Sequence, residues 1–183
     1  MSVYSLPKSA VVGGREYLIR SDYRAILDII EVMNDTAVPD DERTFVVLSV
    51  FYVDFDSMPA FAYQEAINYC TWFINGGEEQ PTSNKAKLMD WEQDFSMIVA
   101  PVNRVLGCEI RDVEYLHWWS FLSAYQEIGE CLFAHVVSIR KKKQRGIKLD
   151  KQDQQFYREH KELIDFKSEK LDEDMTALEA WIK

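Results

Sequence analysis

Three histidines, three cysteines and a run of six cations are the side chains here with the most chemistry to offer. Cys131 and His135 stand four residues apart, a spacing that puts a thiolate and an imidazole on one helix face. Glu127 or Glu130 would then be the third ligand of a metal. Zinc sites take three or four ligands, usually from more than one element. The other candidates, Cys70, Cys108, His117 and His160, are scattered. A buried thiol beside a hydrogen-bonded imidazole explains the pair better. Glu127 and Glu130 as paired carboxylates meet a similar objection, because they fall on a polar stripe that suits a solvated face. The sequence holds no GxSxG, Walker glycine loop, HExxH or CxxC. No catalytic residue, metal or cofactor is therefore assigned, and a non-enzymatic role is expected.

The cations are Arg140, Lys141, Lys142, Lys143, Arg145 and Lys148. As a nucleic-acid patch the run is compact and lacks interleaved aromatics. A formal charge of −10 also opposes contact with phosphates. Complementing a helix C-terminus and pairing with acidic flanks is the simpler reading. A basic spot that grips an acidic partner protein is the third.

These groups lie on or beside residues 115–140, YLHWWSFLSAYQEIGECLFAHVVSIR. Tyr115, Trp118, Leu122, Tyr125, Gly129, Leu132, Val136 and Ile139 step by three and four, the period of one helix face. The spacing predicts a single long helix, apolar around most of its circumference and surrounded by other elements. Trp118, Leu122, Tyr125, Gly129, Leu132 and Val136 are its expected core residues. Asp112 is the expected N-cap and Gly146 the stop. Gly129 on the seam implies another backbone passing close. Trp119 lies off the seam, either covered by an N-terminal hairpin or offered to a partner.

That hairpin is expected at about 8–20, where Gly13-Gly14 separates two β-prone runs. Ser21 or Asp22 should cap a helix to Met33 with Tyr23, Ile26, Ile30 and Met33 inward. A second helix follows Pro39, with Phe45, Leu48, Tyr52 and Phe55 at helical intervals. A third runs from Pro59 to Ile74, and a fourth from Leu88 to Leu106 with Pro101 inside. A sixth starts at Asp150. Residues 166–183 form an amphipathic tail helix, marked by Leu171, Met175, Leu178, Trp181 and Ile182, that either docks or stays mobile. The expected fold is mainly α, a compact bundle of about six helices around the long one, with residues 1–165 as a single domain.

A chain of 183 residues that is 47% hydrophobic can bury such a core. Three unclustered cysteines favour a reducing compartment. The N-terminus lacks a signal-peptide core and no stretch suits a membrane span, so a cytoplasm is the expected address.

His117-Trp118-Trp119 with Phe121-Leu122, the Ile139-Arg140 step into lysines, and Leu149-Asp150-Lys151 followed by Phe156-Tyr157 carry a resemblance. With DWEQDFSMIVAPVNRVLG and GGREYLIRSDYRAILDII upstream, the chain from about 10 to 165 resembles the bacteriophage gene-product-15 family. These proteins are encoded in the tail-gene clusters of long-tailed phages and prophages. The resemblance implies a tail assembly chaperone in the host cytoplasm, with the tape-measure protein and the tail-tube protein as partners, and self-association as a further possibility. It transfers no catalytic residue, and neither nucleic acid nor membrane is an expected partner. The expected partner surface joins Leu171, Met175, Leu178, Trp181 and Ile182 to Arg140, Lys141, Lys142 and Lys143. The alternatives are a structural tail component and a nucleic-acid-binding regulator using residues 140–148.

Overall fold

The computed structural model describes residues 5–78 and 87–167. In chain order these form β1 (Ser9–Val12), β2 (Arg15–Leu18), α1 (Tyr23–Asn34), α2 (Asp40–Phe51), α3 (Tyr63–Ile74), α4 (Trp91–Leu106), α5 (Trp118–Gln126), α6 (Leu132–Gln144), α7 (Lys151–Glu159) and α8 (Lys161–Ile164). The chain is thus mainly α with a small N-terminal hairpin, as its periodicity predicts. Two compact units emerge, one within Met1–Ser83 and Leu106–Glu127, the other within Asn84–Val105 and Ile128–Lys183.

In the first unit, β1 and β2 pair antiparallel with Val12 opposite Arg15. Gly13 and Gly14 between them have φ of 58° and 76°. A two-residue type I′ turn needs positive φ at both positions, and glycine supplies it without steric cost. Ala10, Val12 and Tyr17 are buried. Asp22 caps α1 by accepting from the Arg24 amide. The buried face of α1 is Tyr23, Ile26 and Ile29, so the expected Ile30 and Met33 stripe is turned by one residue. The segment after Pro39 is helical, with Asp40, Asp41 and Glu42 in its first turn, where the helix dipole favours carboxylates. Val47, Leu48 and Phe51 are its buried residues. Phe45, expected inward, is exposed and packs edge-on against Phe55. Two short 3-10 turns, Phe55–Ser57 and Ala60–Ala62, precede α3, which buries Ala66, Cys70 and Phe73.

The single long helix is not observed. Residues 115–140 hold two helices, α5 in the first unit and α6 in the second. Upstream, the expected N-cap Asp112 is displaced by His117. The stretch before His117 is held extended against the start of α1. Tyr23 N donates to Leu116 O (2.9 Å), Trp118 N to Ser21 O (2.8 Å) and Leu116 N to the Asp22 carboxylate (2.9 Å). Downstream, Gly129 takes φ of 63°, which ends helical geometry. No other backbone crowds it, for a Cβ built there meets nothing within 4 Å. Leu132 therefore starts a new helix and is 47% exposed rather than core. The buried face of α6 is Phe133, Val136, Ile139 and Arg140. Trp118 is buried, while Leu122 and Tyr125 are half-buried.

In the second unit, α4 buries Asp94, Met97, Ile98, Val99, Pro101 and Val102. The Asp150 carboxylate caps α7 by accepting from the Asp153 amide (2.9 Å), the third helical position as expected.

Candidate functional site

Arg140 was expected on the partner-binding surface and is instead buried in the second unit with its guanidinium fully hydrogen-bonded. Its position follows from phase: it lies four residues beyond Val136, on the inner face of α6. Its side chain is 4% exposed and that of Asp94 is 0%. Nη1 and Nη2 grip the Asp94 oxygens at 2.6 and 2.9 Å. Nε donates to Ile164 O (2.8 Å), Nη1 also to Leu88 O (3.2 Å) and Nη2 also to Leu163 O (2.6 Å). All five donors of the guanidinium are thereby used. The Phe166 ring lies 4.2 Å from the guanidinium carbon. Asp94 Oδ2 also accepts from Asp90 N (2.9 Å). One ion pair thus ties the start of α4 and the end of α8 to α6. An aspartate three and four residues before Met97 and Ile98, on the face that α4 buries, is the sequence signal that points to it.

Lys142 and Lys143 are also engaged. Lys142 pairs with Asp153, which accepts a second bond from His135 Nε2 at 3.2 Å. The bond from Lys142 and that from His135 hold the Asp153 carboxyl below the usual range. Lys143 donates to Asp165 (2.5 Å) and to the Tyr157 hydroxyl (2.9 Å). Burial pushes Asp165 upward, but the bonds from Lys143 and Tyr157 outweigh it and the carboxyl is lowered. Of the six cations in the run, Arg140, Lys142 and Lys143 are therefore committed to carboxylates. Lys141, Arg145 and Lys148 are exposed.

His135 faces Asp153 and packs at a tilt against Phe156 (4.3 Å between ring centroids), while half-buried Cys131 stands at the N-cap position of α6 without a side-chain capping bond. Glu127 and Glu130 are exposed. Among the described residues no three His, Cys, Asp or Glu side chains gather as a metal site would need.

The tryptophan pair is packed on α3. Trp118 Nε1 donates to Ile74 O and Trp119 Nε1 to Phe73 O, each at 2.8 Å. Trp119 stacks on Phe73 at 5.6 Å and meets Trp72 edge-on at 5.5 Å. It is thus covered by the end of α3 rather than by the hairpin. His117 holds this corner by two bonds. Nε2–H donates to buried Pro7 O (2.9 Å), leaving Nδ1 to accept from Trp119 N (3.0 Å). Burial holds this imidazole below its ordinary pKa, against the opposing pull of the Pro7 carbonyl.

The sequence reading missed the outer face of the hairpin. In the β1–β2 register, Ser9, Val11, Glu16 and Leu18 share the face opposite Ala10, Val12 and Tyr17. Beyond β2, residues 51–53 extend the ladder through an Ile19–Tyr52 bridge and a Val53 N to Leu18 O bond of 3.0 Å. Val11 is 63% exposed, Leu18 56% and Val53 45%. Strict alternation in Val11-Val12 and Tyr17-Leu18 was the signal: one residue of each apolar pair has to face outward.

Leu171, Met175, Leu178, Trp181 and Ile182 lie outside the described residues. Among the described residues no helix is long and apolar enough to cross a membrane. A family model described as Bacteriophage Gp15 protein matches residues 4–166. No curated protein and no solved structure matches the chain.

Proposed function

The chain belongs to the Bacteriophage Gp15 protein family, and from that premise we propose that it is a non-enzymatic tail assembly chaperone that keeps the tape-measure protein soluble in the host cytoplasm and guides tail-tube assembly. The observation that carries the reading is the family match across residues 4–166. A tape measure is a long helical chain whose apolar faces must stay covered until tube subunits polymerise around it. A small acidic helical protein suits that task. Helix-in-groove contacts cover the apolar stripe, and a net charge of −10 keeps complexes apart. Release must follow, which calls for a modest interface rather than a core-like one. In this reading Leu171, Met175, Leu178, Trp181 and Ile182 of the C-terminal segment contribute to the grip, and so does the exposed Lys141.

The test is co-expression with the tape-measure protein from the same tail-gene cluster. The chaperone reading expects the tape measure in the soluble fraction only when this chain is present, and expects this chain to be missing from purified particles by mass spectrometry. A fixed stoichiometry in particles would instead make it a structural tail subunit. Unchanged solubility on deleting residues 168–183 would remove the C-terminal segment from the grip.

A further inference from the structure

We propose that the outer face of the hairpin, built on Val11, Leu18 and Val53, is a docking surface for an amphipathic helix with basic flanks. The proposal rests on the chaperone reading for its biological partner, though not for its chemistry. A hairpin face in a free-standing domain is normally polar, and this one presents three large apolar side chains, with Leu18 diagonal to Val11 across the hairpin and level with Val53.

Both edges of this small sheet already make contacts within the chain. On the β1 side, α3 supplies Tyr69, whose hydroxyl donates to Ser9 O (3.0 Å), and Glu65, which accepts from Gly13 N (2.8 Å). On the β2 side, residues 51–53 complete the ladder, with Arg20 N donating to Phe51 O (2.8 Å). The apolar side chains lie on the face, which a strand added at an edge would leave uncovered. A helix laid across a sheet face is the standard way to cover one.

The rim sets the charge of that helix. Glu16 stands opposite Val11 in register, and Asp54 and Asp56 follow Val53, all exposed. Arg20, the exposed cation beside this face, is held by carbonyls at the end of α2, with Nη1 donating to Ser49 O (3.0 Å), Val50 O (2.7 Å) and Tyr52 O (3.0 Å), and the three carboxylates outnumber it. The rim is thus anionic, and an apolar stripe flanked by lysine or arginine complements it.

The probe is a synthetic amphipathic helix with a leucine stripe flanked by lysines, compared with the same stripe flanked by glutamates. With the full chain in solution, the lysine peptide should shift the amide resonances of Val11, Leu18 and Val53, and its binding should weaken with salt. Leu18→Lys with Val53→Lys should weaken it by about tenfold or more, since it adds like charge to lost apolar contact. The milder Leu18→Ser with Val53→Thr should weaken it to a smaller extent while keeping the melting temperature. Equal affinity for both peptides, resonance shifts confined to other residues, or no effect of either variant would overturn the proposal. So would a dimer in sedimentation that Leu18→Lys dissociates, which would assign the face to a second copy of the chain. Failure of tape-measure co-expression leaves these peptide results standing. Conversely, a solubilising effect indifferent to Leu18 and Val53 removes this face while leaving the chaperone reading intact.

Discussion

Asp94 and Arg140, forty-six residues apart in sequence, meet as a bidentate ion pair whose guanidinium also serves three backbone carbonyls. Removing one partner leaves the other charge buried and alone. Asp94→Asn and Arg140→Met should each cost about 3–5 kcal/mol in urea unfolding. Arg140→Lys should recover little, because three ammonium donors cannot reach five acceptors. The double variant Asp94→Leu, Arg140→Met tests the wider role. If the pair acted alone, apolar replacement would restore stability. Here the carbonyls of Leu88, Leu163 and Ile164 lose their donor as well, so the double variant should stay destabilised.

His117 gives the first unit an acid-sensitive corner. Its Nδ1 must keep a lone pair to accept from Trp119 N while Nε2–H holds Pro7 O. Burial lowers its folded pKa, so the stabilisation is complete above the unfolded value of about 6.5 and is lost as pH falls through the lower folded value. Melting temperature should drop as pH falls below about 6.5, together with a change in tryptophan emission from Trp119. In His117→Asn, whose side chain still offers an oxygen to cap the helix, that pH dependence should flatten.

Much of this was legible from spacing. The hairpin, the Asp22 and Asp150 caps, the acidic start of α2 and the helical period of α3 and α4 are local features, written in neighbouring residues. Phase and partnership were not. Ile29 rather than Ile30 faces inward on α1 because the neighbouring helices, absent from the local pattern, choose between adjacent stripes. The run of threes and fours across Gly129 continued by accident of composition, so two helices read as one. Arg140 looked like the first of a solvated basic run, because nothing near it in sequence announces Asp94.

Two further carboxylates place a second acid transition in the second unit. Asp153 and Asp165 are lowered by their lysine and hydrogen-bond partners. Their contribution is present above the unfolded carboxylate value of about 3.9 and disappears as pH falls through the lower folded values. Stability should therefore decline further below about pH 4. Asp153→Asn and Asp165→Asn should each reduce this loss. Added salt should mimic part of it, since Lys142 and Lys143 remain partly exposed.

Two glycine substitutions distinguish crowding from backbone strain, and one of them tests the break between α5 and α6. Gly77 and Gly129 both have positive φ, 86° and 63°, so alanine at either costs about 1–2 kcal/mol in backbone strain. At Gly77 a Cβ would also lie 2.9 Å from Trp119 Cη2 and 3.3 Å from Trp72 Cζ2. Gly77→Ala should therefore lose more stability than Gly129→Ala and shift tryptophan emission, because the indoles must move apart. At Gly129 the space is open, so only the backbone term remains. The sign of that term is diagnostic. Inside a continuous helix, replacing glycine by alanine would raise stability by roughly 0.5–1 kcal/mol. At a left-handed turn between two helices it must lower it. A stabilised Gly129→Ala chain in thermal and urea melts would mean that α5 and α6 run on as one helix through Gly129.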